Sequence, residues 1–173
     1  MTHPTKVHYR RHRRTRTEFR MIENVVDHIV IPPVWAVITG VSMLGVHHLA
    51  PGPLLLPARW TWVGTVPALC GFLAAVWAAW LFKRAGTPVE PWRQPTTFVA
   101  AGPYRFTRNP MYLGLASILA GFALWLGTAT PWLGPPAFVW VITRRFVLRE
   151  EAWLEDRFGE PYRSYKARVR RWI

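Results

Sequence analysis

MYLGLASILAGFALWLGTATPWLGPPAFVWVIT, Met111 to Thr143, runs for 33 residues without a charged side chain. A bilayer core of about 30 Å is crossed by about 20 apolar residues rising about 1.5 Å each. The stretch is therefore too long for one helix and long enough for two. Gly127, Thr128, Ala129, Thr130 and Pro131 stand at its middle, and this set of turn formers divides it into a helical hairpin. Two more uncharged runs precede it, Ile29 to Val46 and Trp60 to Phe82. The expected spans are 29–49, 61–82, 111–127 and 131–148. The fold class that follows is all-α, a polytopic integral membrane protein with about four transmembrane helices.

The rest of the composition agrees. Among 173 residues, 22 Lys and Arg against 9 Asp and Glu give a net charge of +13, which a soluble nucleic-acid binder could also carry. With 51% hydrophobic residues, 14% aromatics and 11 Trp, a solvated basic domain is excluded, and nucleic acid is not an expected partner. The cations are also segregated. Residues 1–28 hold seven Lys and Arg, 83–110 hold five and 144–173 hold nine, while the loop 50–60 holds only Arg59. With four spans, the positive-inside rule places both termini and the central loop in the cytoplasm of a plasma or inner membrane. The basic tail Lys6 to Arg16 reads either as a nucleic-acid arm or as a segment held near anionic headgroups, and the apolar composition favours the second. The first apolar run is too long for a cleavable signal and is read as a retained helix. Cys70, alone in an apolar run, reads as a small core residue rather than part of a disulfide or metal site.

Three segments follow: a basic tail 1–28, two helices in 29–82, and a region 83–173 that holds the hairpin and most of the polar residues. Within the last, Phe158 and Gly159 read as a helix stop and Pro161 as a new first turn. Tyr162, Tyr165, Val169 and Trp172 then recur at helical steps, with Arg163, Lys166, Arg170 and Arg171 elsewhere on the wheel. The expectation is a C-terminal amphipathic helix on the cytoplasmic membrane face.

A site would form where Thr96 to Gly114 meets Arg144 to Val169, because the hairpin sets the third and fourth helices side by side. In the first piece Asn109 stands in cap position before Pro110, leaving backbone N–H groups at a helix start that suit an anion. Arg105 and Arg108 add charge, and Tyr104 and Tyr112 offer ring faces to a cation. The same residues also fit an interfacial loop with snorkelling arginines and belt tyrosines. In the second piece, Glu150 and Glu151 are expected just past a helix end. Adjacent helical residues diverge by about 100°, so only one can face a given pocket. They read as a pocket carboxylate or as a surface cluster with Arg144, Arg145 and Arg149. His47 and His48 stand at the opposite membrane face without visible partners, and no metal site is expected.

Together, GPYRFTRNPMYLG (Gly102 to Gly114) and EEAWLEDRFGEPYRSYKARV (Glu150 to Val169) resemble the isoprenylcysteine carboxyl methyltransferase and phospholipid methyltransferase superfamily of membrane enzymes, over roughly residues 90–173. The resemblance implies methyl transfer from S-adenosyl-L-methionine, bound on the cytoplasmic side, to a membrane lipid or a lipidated or hydrophobic small molecule reached from the lipid bilayer. Carried over by motif, Thr96, Thr97, Phe98, Val99, Tyr104, Asn109, Pro110, Met111, Tyr112 and Glu150 match cofactor-contacting positions. Arg145, Phe146 and Glu151 fall at the substrate side, with Glu151 the candidate proton acceptor for an amine; no catalytic residue is assigned. Many relatives have His where Asn109 stands, so an imidazole role is absent here. The prenylcysteine enzymes have a substrate-binding arginine at the position of Phe146, which points away from a prenylcysteine carboxylate as acceptor. Two other classes remain: a steroid-reductase-like membrane protein using NADPH, and a non-catalytic membrane protein that has kept the fold.

Overall fold

Proline and glycine set the helix ends in the computed structural model, which describes residues 31–87 and 96–173. The basic tail, the start of the first expected span and the stretch around Trp92 lie outside the described residues. Helix α1, Pro32–Leu49, opens on two prolines and stops ahead of Pro51. A 3₁₀ turn, Ala58–Gly64, runs straight into α2, Thr65–Arg84, giving 27 continuous helical residues. Gly86 at φ +65° ends α2. Its N–H donates to the Lys83 carbonyl and that of Thr87 to the Phe82 carbonyl, the paired pattern of a Schellman cap. Helix α3, Pro110–Leu126, starts on its proline and ends on Gly127 at φ +71°.

The expected hairpin turn is present, and the loop before it ties it down. The N–H groups of Leu55 and Leu56 both donate to the Gly127 carbonyl, and those of Ala129 and Thr130 donate to Pro53 and Pro51. His47 Nδ1 lies 2.8 Å from Thr128 Oγ1, so the end of α1 joins the same knot. Among the described residues there is no strand, only a bridge between Leu54 and Thr128.

The chain then stays helical without a break from Thr130 to Phe158: a 3₁₀ turn Thr130–Leu133, α4 Gly134–Ile142, a π turn Thr143–Val147 and α5 Leu148–Phe158. This corrects the expected stop near 148, since Glu150 and Glu151 lie inside a helix rather than past its end. Thr143 donates to the Val139 carbonyl at the start of the π turn, a bond that commonly bends helices. One extra residue in that turn shifts the phase, so Phe146 and Val147 are both fully buried and the acidic pair behind them turns toward the protein. Helix α6, Glu160–Arg168, follows Gly159 at φ +55°.

Within the compact unit Pro32–Ile173, α3 is the central helix. On one side α2 crosses it along a seam of glycines. A Cβ built on Gly114 would lie 2.4 Å from the Gly71 carbonyl oxygen, and one on Gly121 would lie 2.4 Å from that of Gly64. The four glycines are spaced by seven on both helices, which brings the backbones into direct contact as in small-residue membrane packing. On the other side Tyr112, Ala116, Leu119 and Ala123 of α3 meet Met43 of α1 and Phe138, Ile142 and Phe146 farther along.

The outer surface is apolar. Val37 and Val41 of α1, Leu69, Phe72 and Trp77 of α2, and Trp140 of α4 are all exposed. Cys70, expected in the core, is exposed on this same face of α2. Among the described residues one helix, Ala58–Arg84, is long and apolar enough to cross a membrane alone. The amphipathic helix is also shorter than expected. Val169 is extended and α6 stops at Arg168, because Arg170 to Trp172 is drawn across the start of α3. The α6 tyrosines face protein: Tyr162 is 1% and Tyr165 5% exposed.

Candidate functional site

The 3₁₀ turn Gly102–Arg105 buries Tyr104 against Phe82 of α2, with ring centroids 5.3 Å apart. One turn into α3, the Tyr112 hydroxyl donates to Glu150 Oε1 across 2.5 Å. Tyr104 itself feels the charge of Glu150, so two phenols and one carboxyl gather where α3 meets α5. Among the described residues the buried Tyr104 hydroxyl has no hydrogen-bond partner. A buried hydroxyl in that state costs about 1–3 kcal/mol and invites a polar group from a ligand.

Glu150 sits deep in the protein and is half-buried. Burial pushes its carboxyl up to about 7, against the Tyr112 hydrogen bond and the nearby Arg149 cation, which favour the charged form. Burial likewise raises Tyr104, with Glu150 and Tyr165 adding to it.

Glu151 points elsewhere, as the 100° divergence requires. Its oxygens take Arg171 Nε at 2.9 Å, Arg171 Nη2 at 2.7 Å and Arg108 Nη2 at 3.2 Å. The Glu151 and Arg108 side chains are 7% and 9% exposed and that of Arg171 35%, so Glu151 and Arg108 form a buried pair that Arg171 closes from the surface. Breaking the buried Glu151–Arg108 pair costs about 3–5 kcal/mol, because a charge is left buried alone. The proton-acceptor role expected of Glu151 meets an obstacle here, since guanidinium donors occupy both of its oxygens.

An aromatic wall adjoins the phenols. Phe98 packs edge-on to Tyr165 at 5.0 Å and to Tyr162 at 5.8 Å, and tilted against Phe158 at 5.9 Å. The Tyr165 hydroxyl donates to the Tyr104 carbonyl at 2.7 Å. Burial pushes Tyr162 up to about 12, and the neighbouring Glu151 adds to it. Thr96 is fixed to the end of α2, its N–H on Thr87 Oγ1 and its hydroxyl on the Gly86 carbonyl, and the Thr97 N–H also approaches Thr87 Oγ1. Val99 is half-buried in the same segment.

Of the residues expected at the site, Phe98, Tyr104, Tyr112 and Glu150 converge. Pro110 is buried as the first residue of α3, and Met111 beside it is half-buried. Asn109 occupies the cap position without capping; its amide donates to the Arg171 carbonyl at 3.0 Å. The residues expected at the substrate side, Arg145, Phe146 and Glu151, lie in different surroundings. Phe146 is a core residue with no exposed surface, while Arg145 is exposed and lies over the Trp35 ring of α1 at 5.4 Å. Arg171 was not singled out by the motifs, and its place in the triad has no local sequence signal. Among the described residues no cluster of His, Cys, Asp or Glu could hold a metal.

A family model described as phospholipid methyltransferase matches residues 60–161, which takes in α2, α3, the hairpin and both glutamates. The chain belongs to the phospholipid methyltransferase family. The match starts some thirty residues before the motif resemblance, at the head of α2, so the glycine seam lies within the family region. A segment of 63 residues, 36% of this chain, is 49% identical to an uncharacterized protein of Haemophilus influenzae and covers all of it. No solved structure matches.

Proposed function

We propose that this family member transfers the methyl group of S-adenosyl-L-methionine to a lipid or other amphiphilic acceptor that enters from the bilayer. The observation that carries the reading is Glu150, a deep carboxyl held by the Tyr112 hydroxyl beside the unpartnered hydroxyl of Tyr104. These groups fit the cofactor: Glu150 suits its ammonium, and the rings of Tyr104, Tyr112 and Phe98 suit its sulfonium. When bound, S-adenosyl-L-methionine supplies a methyl carbon already activated by the sulfonium. The protein then contributes position and dryness: the aromatic wall excludes water, and the α3–α5 contact fixes the donor groups. An amine acceptor must also lose a proton; Glu150 is given to the ammonium in this reading and the oxygens of Glu151 are engaged, so no base is assigned.

The segment 83–173 is the methyltransferase core in this reading, and the chain crosses a plasma or inner membrane four times with both termini cytoplasmic. The exposed apolar faces of α1, α2 and α4 and the segregation of the cations support that topology. With Phe146 sealed in the core, nothing at that position pairs with an acceptor carboxylate, which favours a lipid amine or neutral lipid over a prenylcysteine. Two measurements test the reading. Detergent-solubilised protein titrated with S-adenosylhomocysteine and with NADPH should respond to the first only. Radiolabelled methyl transfer in a membrane extract should place label in the lipid fraction. A response to NADPH alone, or to neither ligand, overturns the proposal.

A further inference from the structure

Two buried side chains connect the reacting corner to the last residues of the sequence. Thr107 Oγ1 and Asn109 Nδ2 both donate to the Arg171 carbonyl at 3.0 Å, and the Arg108 N–H donates to the Arg170 carbonyl at 3.0 Å. Three consecutive residues ahead of α3 thus hang on two neighbouring carbonyls. The Arg171 side chain then turns inward and grips Glu151 with a two-pronged fork, while Trp172 packs against the core. The two positions held in this way stand next to the Glu150–Tyr112 pair. Glu151 follows Glu150 on the rigid α5, and Arg108 precedes Tyr112 by four residues.

We propose that Arg171 is a positioning residue for the site: by holding Glu151 and Arg108 in one triad, it fixes the start of α3 against α5 and keeps Tyr112 on Glu150. This rests on the reading of Glu150 and Tyr112 as cofactor-binding groups. The chemistry explains why an arginine stands there. A carboxylate that must hold two chain segments needs donors on both oxygens, and a planar guanidinium supplies them in fixed geometry where an ammonium supplies one point of charge. Arg108 reaches Glu151 through one nitrogen, and its Nε and Nη1 are buried without partners. With Arg171 gone, Glu151 keeps only that single bond. The start of α3 is then tied to α5 through that one Arg108 bond, and Tyr112 loses its fixed position opposite Glu150. The phospholipid methyltransferase match ends at residue 161, so Arg171 lies beyond the matched region while its partners Glu151 and Arg108 lie within it.

The test compares Arg171→Ala, Arg171→Lys and, as a charge-matched control on the exposed face of α5, Arg157→Ala. Each is measured by S-adenosylhomocysteine titration and by hydrogen exchange of the ligand-free protein. Arg171→Ala should weaken the affinity about tenfold, the loss expected when Tyr112 stays on Glu150 in about a tenth of the molecules. Exchange should speed up across residues 107–113 while peptides of the α2–α3 glycine seam keep their protection. Arg171→Lys should fall between Ala and wild type, and Arg157→Ala should match wild type. Unchanged exchange at 107–113 in Arg171→Ala overturns the brace. So does a uniform loss of protection that includes the seam, or faster exchange with unaltered affinity. A wild type that fails to bind S-adenosylhomocysteine overturns the cofactor reading instead, and the exchange data then still decide whether Arg171 fixes the start of α3.

Discussion

Replacing Glu150 by Gln should make the ligand-free protein more heat-resistant above neutral pH and weaken cofactor binding at the same time. The carboxyl titrates at 4.5 in an open chain and at about 7 in the folded protein, burial being the main cause. Between those values the folded state carries a proton that the unfolded state has lost, so stability falls as pH rises through the window. At 1.36 kcal/mol per pH unit the loss reaches about 3 kcal/mol by pH 8. A neutral Gln still accepts the Tyr112 hydroxyl on its carbonyl oxygen and carries none of that penalty. Thermal melts in detergent should therefore coincide for the two proteins near pH 5. They should separate at pH 8 by about 6 °C or more in favour of Gln, at about 2–4 °C per kcal/mol for a chain of this size. Binding moves the other way, because an ammonium needs the ionised carboxylate: S-adenosylhomocysteine affinity in Glu150→Gln should drop by about 1.5–3 kcal/mol. In wild type, where about a tenth of Glu150 is ionised at pH 6, the affinity there should be about tenfold weaker than at pH 8.5, and Gln should abolish this dependence. Parallel melting curves at both pH values together with equal affinities would refute both the burial of a carboxyl at this position and its pairing with the cofactor.

Three more outcomes can be checked. Gly114→Val places a branched side chain where even a Cβ lies 2.4 Å from the Gly71 carbonyl oxygen, so the α2–α3 seam must open; a loss of about 1–3 kcal/mol or more should appear in thermal melts, and a wild-type midpoint would contradict the backbone contact. Tyr104→Phe deletes a hydroxyl that has no partner among the described residues, so stability should hold or rise by about 1 kcal/mol while S-adenosylhomocysteine affinity falls; equal affinity would remove that hydroxyl from the cofactor site. In a Cys70→Ala background, Leu55→Cys should react with an impermeant thiol reagent added outside intact cells and Arg157→Cys should not; the reverse pattern overturns the proposed topology.

The sequence by itself determined the helical class, the hairpin and most helix ends. These depend on local properties: the run of uncharged residues from Met111 to Thr143, the turn formers around Gly127, and prolines at helix starts act through neighbours in the chain. Tyr104, Tyr112 and Glu150, taken from the motif resemblance, come together in the fold where α3 meets α5. The glycine seam was written in the sequence too, as Gly64, Gly71, Gly114 and Gly121 spaced by seven, but its meaning depends on which helices touch. The tertiary structure alone decided the division of labour between Glu150 and Glu151. That choice follows from the π turn at Thr143–Val147, which sets the helix phase, and from partners 38 to 43 residues away in Tyr112 and Arg108 and 20 away in Arg171. Periodicity places a residue on a face of its own helix; it carries no information about which distant side chain meets that face. For the same reason Phe146 became core, Cys70 became surface, and the end of the expected surface helix became a brace across the start of α3.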